Sequence, residues 1–141
     1  MGLVDWELLV LFVGLFIVNH ALAQSGATAL AIDWIAGQGI ALGDAGPLFM
    51  VTLVLSNLVS NVPAVMLLLP VAEGAHAGPT LALVSTLAGN LFIVGSIANI
   101  IVVDAARRQG IEIDWRRHAR IGVPVTVVTL TIAAAWLGVN R

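Results

Sequence analysis

The stretch Ser56-Asn57-Leu58-Val59-Ser60-Asn61-Val62-Pro63 constrains this chain more than any other. Two Ser-Asn pairs, four residues apart, lie between two apolar arms and are followed by a proline. Polar, broken backbone is tolerated in a bilayer only where protein buries it or where it lines a cavity. That the arms lie in a bilayer follows from composition. The chain is 60% hydrophobic and 10% charged, with a mean hydropathy of +1.04. Soluble domains carry about 25% charged residues. Mid-membrane breaks are where secondary transporters place ion and substrate sites.

Composition also removes whole classes of chemistry. With no cysteine there is no disulfide framework, thiolate metal site or cysteine nucleophile. There is no lysine, and no basic tract with aromatics that would bind nucleic acid. His20, His76 and His118 fall in separate segments, and no nucleophile–base pair is visible, so an enzyme is not expected. Asp5 and Glu7 stand where a cleavable signal peptide would carry basic residues.

The hydropathy pattern predicts an all-α, polytopic membrane protein. Leu8–Ala23 reads as a first full span with Trp6 at its interface, interrupted late by Asn19 and His20. Ala27–Ala36 is apolar but short, and fits an interfacial arm with Trp34 at headgroup level. Asp33 beside it reads as solvated. Residues 47–71 fit a re-entrant hairpin. The arms Pro47–Leu55 and Pro63–Val71 have nine residues each. Each reaches roughly 13–14 Å at about 1.5 Å per residue, half of a hydrocarbon core about 30 Å thick. Residues 80–106 read as a broken helix, Thr80–Ala88 and Ser96–Ala106 around an unwound Gly89–Gly95. Ile121–Val139 is a second full span, with Pro124 in its first turn.

Arginine sets the expected topology. Five of the six arginines (Arg107, Arg108, Arg116, Arg117 and Arg120) fall in the segment 104–120, read as one polar loop. The positive-inside rule puts that loop in the cytoplasm. Segments 24–46 and 72–79, without Lys or Arg, and the C-terminus are then external.

Several motifs together resemble the ion-transporter superfamily of ArsB/NhaD-type permeases, citrate-transporter-like proteins and divalent-anion/sodium symporters. They are Asp5-Trp6-Glu7-Leu8-Leu9, leading into Gly14-Leu15-Phe16-Ile17-Val18; Ser56 to Pro63 with Ala64-Val65-Met66-Leu67; Ser85-Thr86-Leu87-Ala88-Gly89-Asn90-Leu91; Gly95-Ser96-Ile97-Ala98-Asn99; Arg107-Arg108-Gln109-Gly110; and Gly122-Val123-Pro124-Val125-Thr126. The chain is most similar to the ArsB-like anion permease branch. Members have two inverted repeats, each with an interfacial arm, a re-entrant hairpin and a broken helix. The resemblance implies that residues 1–141 are the C-terminal half, the second repeat only. Such a chain is a truncated or fragmentary product, or a half that must associate with a first repeat or a second chain.

The resemblance implies a multi-pass protein of the cell (inner or plasma) membrane that moves an anion by symport or antiport, with membrane lipid and the anionic substrate as its partners. No cofactor is expected beyond a sodium co-ion. The expected binding residues are Ser56, Asn57, Ser60 and Asn61 at the hairpin tip. Thr86, Gly89, Asn90, Gly95, Ser96 and Asn99 are expected around the second break, with sodium at Ser56, Asn57 and Asn90. Physical chemistry is compatible with both ligands. Hydroxyl, amide and freed carbonyl oxygens suit sodium. Backbone N–H groups, and a half-helix capped by Ser96, suit an anion. The rival explanation is that Ser and Asn are interhelical glue and that Gly and Ser serve close packing. The rival function is a non-transporting remnant, or an accessory membrane protein that binds a partner chain. No Asp, Glu, Lys or Arg lies in either broken segment, so amides, dipoles and co-ions would hold an anion.

Overall fold

A computed structural model describes residues 6–139, except the side chains at positions 7, 8, 11, 12, 15, 19, 23, 28 and 31. Asp5, the Asn19 side chain and the C-terminal residues Asn140 and Arg141, all used above, lie outside the described residues. The described residues form helices and turns with no strand. The chain divides into two units, Met1–Ile40 and Ala41–Arg141.

The first unit is a pair of packed helices, α1 (Trp6–Gln24) and α2 (Ala27–Gly37). Ser25 and Gly26 turn the chain between them. The Ser25 hydroxyl donates to the Leu22 carbonyl at 2.8 Å and accepts from the Ala27 N–H at 3.3 Å. Trp34, the expected interface anchor, is exposed on α2.

The second unit holds α3 (Ala45–Val59), α4 (Asn61–Leu68), α5 (Ala77–Ala88), a 3-10 turn (Ile93–Gly95), α6 (Ile97–Arg108) and α7 (Trp115–Val139). Pro47, Pro63 and Pro79 each stand third in their helices, α3, α4 and α5. There the missing N–H has no intrahelical acceptor to lose. α3 packs on α4 and α5, α4 on α5, and α5 on α7. Repeats of three and four residues supply the buried faces: Leu48, Thr52 and Ser56 on α3; Leu81, Val84 and Ala88 on α5; Gly122, Thr126, Leu130, Ala133 and Leu137 on α7. That spacing puts each set on one side of its helix.

Several expectations change in detail. The arms flanking the first break are unequal helices of 15 and 8 residues, not nine each. Ser56 and Asn57 belong to the last turns of α3, and Ser60 alone leaves helical geometry, at φ 74° and ψ 162°. The final helix begins at Trp115, six residues ahead of Ile121, so Pro124 lies in the helix interior. The reason is local: Asp114 caps it, its Oδ1 accepting the Arg117 N–H at 2.7 Å. Arg116, Arg117 and Arg120 therefore sit on α7, while Arg107 and Arg108 end α6. Arg108 pairs with Asp104 at 2.8 Å. Among the described residues, α7 is the one helix long and apolar enough to cross a membrane by length and composition.

Candidate ion and substrate site

Four helix ends meet where the two breaks come together. α3 ends and α4 starts at Ser60, while α5 ends at Ala88 and α6 starts at Ile97. Helix C-termini carry partial negative charge and N-termini partial positive charge. One junction therefore offers attraction to a cation and to an anion, without a charged side chain.

Two glycines make the junction close. A Cβ at Gly95 would lie 2.9 Å from Asn57 Oδ1 and 3.2 Å from the Gly89 carbonyl oxygen. A Cβ at Gly89 would lie 2.8 Å from Asn61 Oδ1 and 3.2 Å from Ser96 Cβ. So Asn57 sits over Gly95, and Asn61 over Gly89. Only glycine lets the amide side chains of the first break approach the backbone of the second this closely.

Hydrogen bonds lock the rest. The Ser56 hydroxyl, fully buried, donates to the Ser85 carbonyl at 2.8 Å and reaches Asn61 Oδ1 at 3.4 Å. Asn99 Nδ2 donates to the Gly89 carbonyl at 2.8 Å and to the Phe92 carbonyl at 3.3 Å, which closes the unwound stretch on itself. Asn57 Nδ2 donates back to the Leu53 carbonyl at 2.9 Å. Its partner atom, Asn57 Oδ1, is buried and accepts no hydrogen bond among the described residues. A buried acceptor left unpaired costs about 1–3 kcal/mol. Such an atom calls for a specific explanation: strain, a water, a bound ion or a functional role.

The sequence has known relatives. The profile of the citrate transporter family (CitMHS) matches residues 1–88, more than half of the chain. The chain belongs to the citrate transporter family. An uncharacterized transporter of Synechocystis sp., slr0753, is 32% identical over 95% of this chain and 36% of its own length. The silicon efflux transporter LSI3 of Oryza sativa subsp. japonica is 33% identical over 96% of this chain and 31% of its own length. A Dictyostelium discoideum protein with the name "Putative transporter arsB" is 34% identical over 92% of this chain and 24% of its own length. The chain thus spans about a third of the length of the curated relatives it matches. No solved structure matches it. Kinship with transporters of the citrate transporter family implies a membrane location.

Not every expected residue joins the junction. Ser60 makes the bend itself and starts α4, its carbonyl accepting the Ala64 N–H at 3.1 Å. Ser96 stands at the N-cap of α6 but makes no side-chain capping bond. Thr86 is exposed and its hydroxyl donates to Ala82 on its own helix at 2.8 Å. Asn90 meets α7 through its backbone, its carbonyl oxygen lying 3.1 Å from His118 Nε2. Asn90 also lines an open pocket of about 320 Å³ with Ile111, Ile113, Arg117, His118 and Ile121.

Sequence reasoning missed three contributors. In the sequence Ser85 is only part of a motif, yet its carbonyl anchors Ser56. Main-chain acceptors leave no mark in a sequence. His118 read as one residue of a polar loop, and Gly122 as part of a motif in a span. Their spacing of four, one helical turn on α7, was the available signal.

Proposed function

We propose that this member of the citrate transporter family forms the C-terminal repeat of a secondary transporter for an anion. The observation that carries it is Asn57 Oδ1, a buried acceptor without a hydrogen-bond partner, held where two interrupted helices converge. Thr80 Oγ1 and Thr126 Oγ1 are also buried without a partner among the described residues; what singles out Asn57 Oδ1 is its place over Gly95, between the two breaks. Residues 47–71 act as a re-entrant hairpin and residues 80–106 as the broken helix that faces it. α1 and α7 are the two full spans, and α2 is the interfacial arm.

Asn57 Oδ1 and Asn61 Oδ1 suit a sodium co-ion, being neutral oxygens beside the negative ends of α3 and α5. Ser56, whose hydroxyl proton goes to the Ser85 carbonyl, ties α3 to α5 rather than meeting the ion, and Asn90 stands aside. The anion lies toward the N-termini of α4 and α6. Arsenite, a dicarboxylate, citrate and sulfate are all candidate substrates. A first repeat, on the same polypeptide or a second chain, completes the site. The protein resides in the cell membrane with the α6–α7 turn in the cytoplasm, following the arginines.

The test is uptake and export of an anion panel by vesicles that contain both repeats, with and without a sodium gradient. Asn57→Ala and Asn61→Ala remove ligands worth about 1–3 kcal/mol each, so apparent affinity falls roughly 5- to 150-fold. Asn90→Ala has a smaller effect, since the Asn90 contact to α7 is made by its main chain. Normal transport by both Asn57→Ala and Asn61→Ala would remove the junction from the mechanism.

A further inference from the structure

The unwound stretch between α5 and α6 needs an anchor. Asn99 ties it to α6 from one side, through the carbonyls of Gly89 and Phe92. On the other side the Asn90 carbonyl oxygen meets α7. His118 Nε2 lies 3.1 Å from it. A carbonyl cannot donate, so Nε2 carries the proton and donates. One turn further along α7, Gly122 is buried, and a Cβ built there would collide with that same carbonyl oxygen. It would also press on His118 Nε2 at 3.1 Å. Two residues at a spacing of four thus form one seat, His118 supplying the donor and Gly122 the space. The seated residue is the direct neighbour of Gly89, on which Asn61 rests.

We propose that His118 is a positioning residue, which with Gly122 seats the Asn90 carbonyl on α7 and so fixes where Gly89 meets Asn61 in the ion and substrate junction. The proposal rests on the transport reading for its functional consequence, not for its geometry. His118 touches neither ion nor substrate. Its loss displaces ligand groups without removing one. Ligand affinity should therefore change more than turnover.

Two measurements separate the two ideas. The first is hydrogen–deuterium exchange of the 141-residue chain in lipid nanodiscs, read over residues 89–95. One lost hydrogen bond of ordinary strength predicts exchange about 3- to 10-fold faster in His118→Ala. His118→Gln should restore protection, because its amide nitrogen falls close to the position of Nε2. Gly122→Ala should release the same segment. The second is anion uptake by the transporter assembled with its first repeat. His118→Ala should raise KM about 3- to 10-fold with the maximal rate near wild type, and His118→Gln should lie near wild type in both. Unchanged exchange in His118→Ala, or His118→Gln no better than His118→Ala, overturns the seat. Exchange that behaves as expected, in a protein that moves no anion on the panel, leaves the seat standing and overturns the transport reading. Normal KM in His118→Ala despite faster exchange overturns the link from seat to junction.

Discussion

Gly95→Ala, alone and combined with Asn57→Ala, tests the junction most directly. The added Cβ would sit 2.9 Å from Asn57 Oδ1, about half an ångström inside ordinary contact. Asn57 is not free to swing aside, because its Nδ2 is bonded to the Leu53 carbonyl at 2.9 Å. The methyl cannot retreat either, with the Gly89 carbonyl oxygen at 3.2 Å. Overpacking of this kind costs about 1–3 kcal/mol, and sacrificing the Asn57 bond costs about 0.5–1.5 kcal/mol net. The single mutant should therefore lose about 1–3 kcal/mol. In an Asn57→Ala background the main obstacle is gone and only the 3.2 Å contact with Gly89 remains. There, replacing glycine restricts the unfolded chain and returns about 0.4–1 kcal/mol, so the second substitution should be nearly neutral. The expected coupling lies at about 1–3 kcal/mol, within the range for residues in contact. Equilibrium unfolding in mixed micelles, followed by far-ultraviolet circular dichroism, measures all four corners of the cycle. Strict additivity would refute the contact between Asn57 and Gly95, and with it the account of how the two breaks meet.

Ser60→Gly should stabilise the chain. Its φ of 74° and ψ of 162° fall in a region that is essentially glycine-only, where a side chain costs about 1–3 kcal/mol; a lower melting temperature in the glycine variant would contradict the bend. Single cysteines placed in this cysteine-free chain report topology: those replacing Gly43 and Glu73 should react with an impermeant maleimide from outside, and one replacing Glu112 only from the cytoplasm. Labelling at position 43 from the cytoplasm alone would overturn the proposed hairpin orientation.

Both interruptions were legible in the sequence because helix propagation is a local matter. Asn and Ser compete with the helix through their own side chains, glycine gives up the most entropy there, and an early proline marks a fresh start. The positions of the breaks at Ser60 and between Ala88 and Ile97 follow from those residues. The boundary of α7 was less legible. An apolar-run criterion starts it at Ile121, whereas the cap at Asp114 carries the helix through a polar first stretch of arginines. Hydropathy marks where a bilayer can begin; capping marks where a helix does.

By itself, then, the sequence determined the membrane setting, the all-helical class, the family and the two places where helices stop. Only tertiary structure decided which polar groups meet. Asn57 and Asn61 turn toward Gly95 and Gly89, Thr86 points back along its own helix, and Asn90 offers its carbonyl to His118. The physical reason is that side-chain amides and hydroxyls are interchangeable as hydrogen-bonding partners along a chain. What distinguishes them is the neighbouring backbone, brought close by glycines at 89, 95 and 122 that are distant in sequence from Asn57 and Asn61.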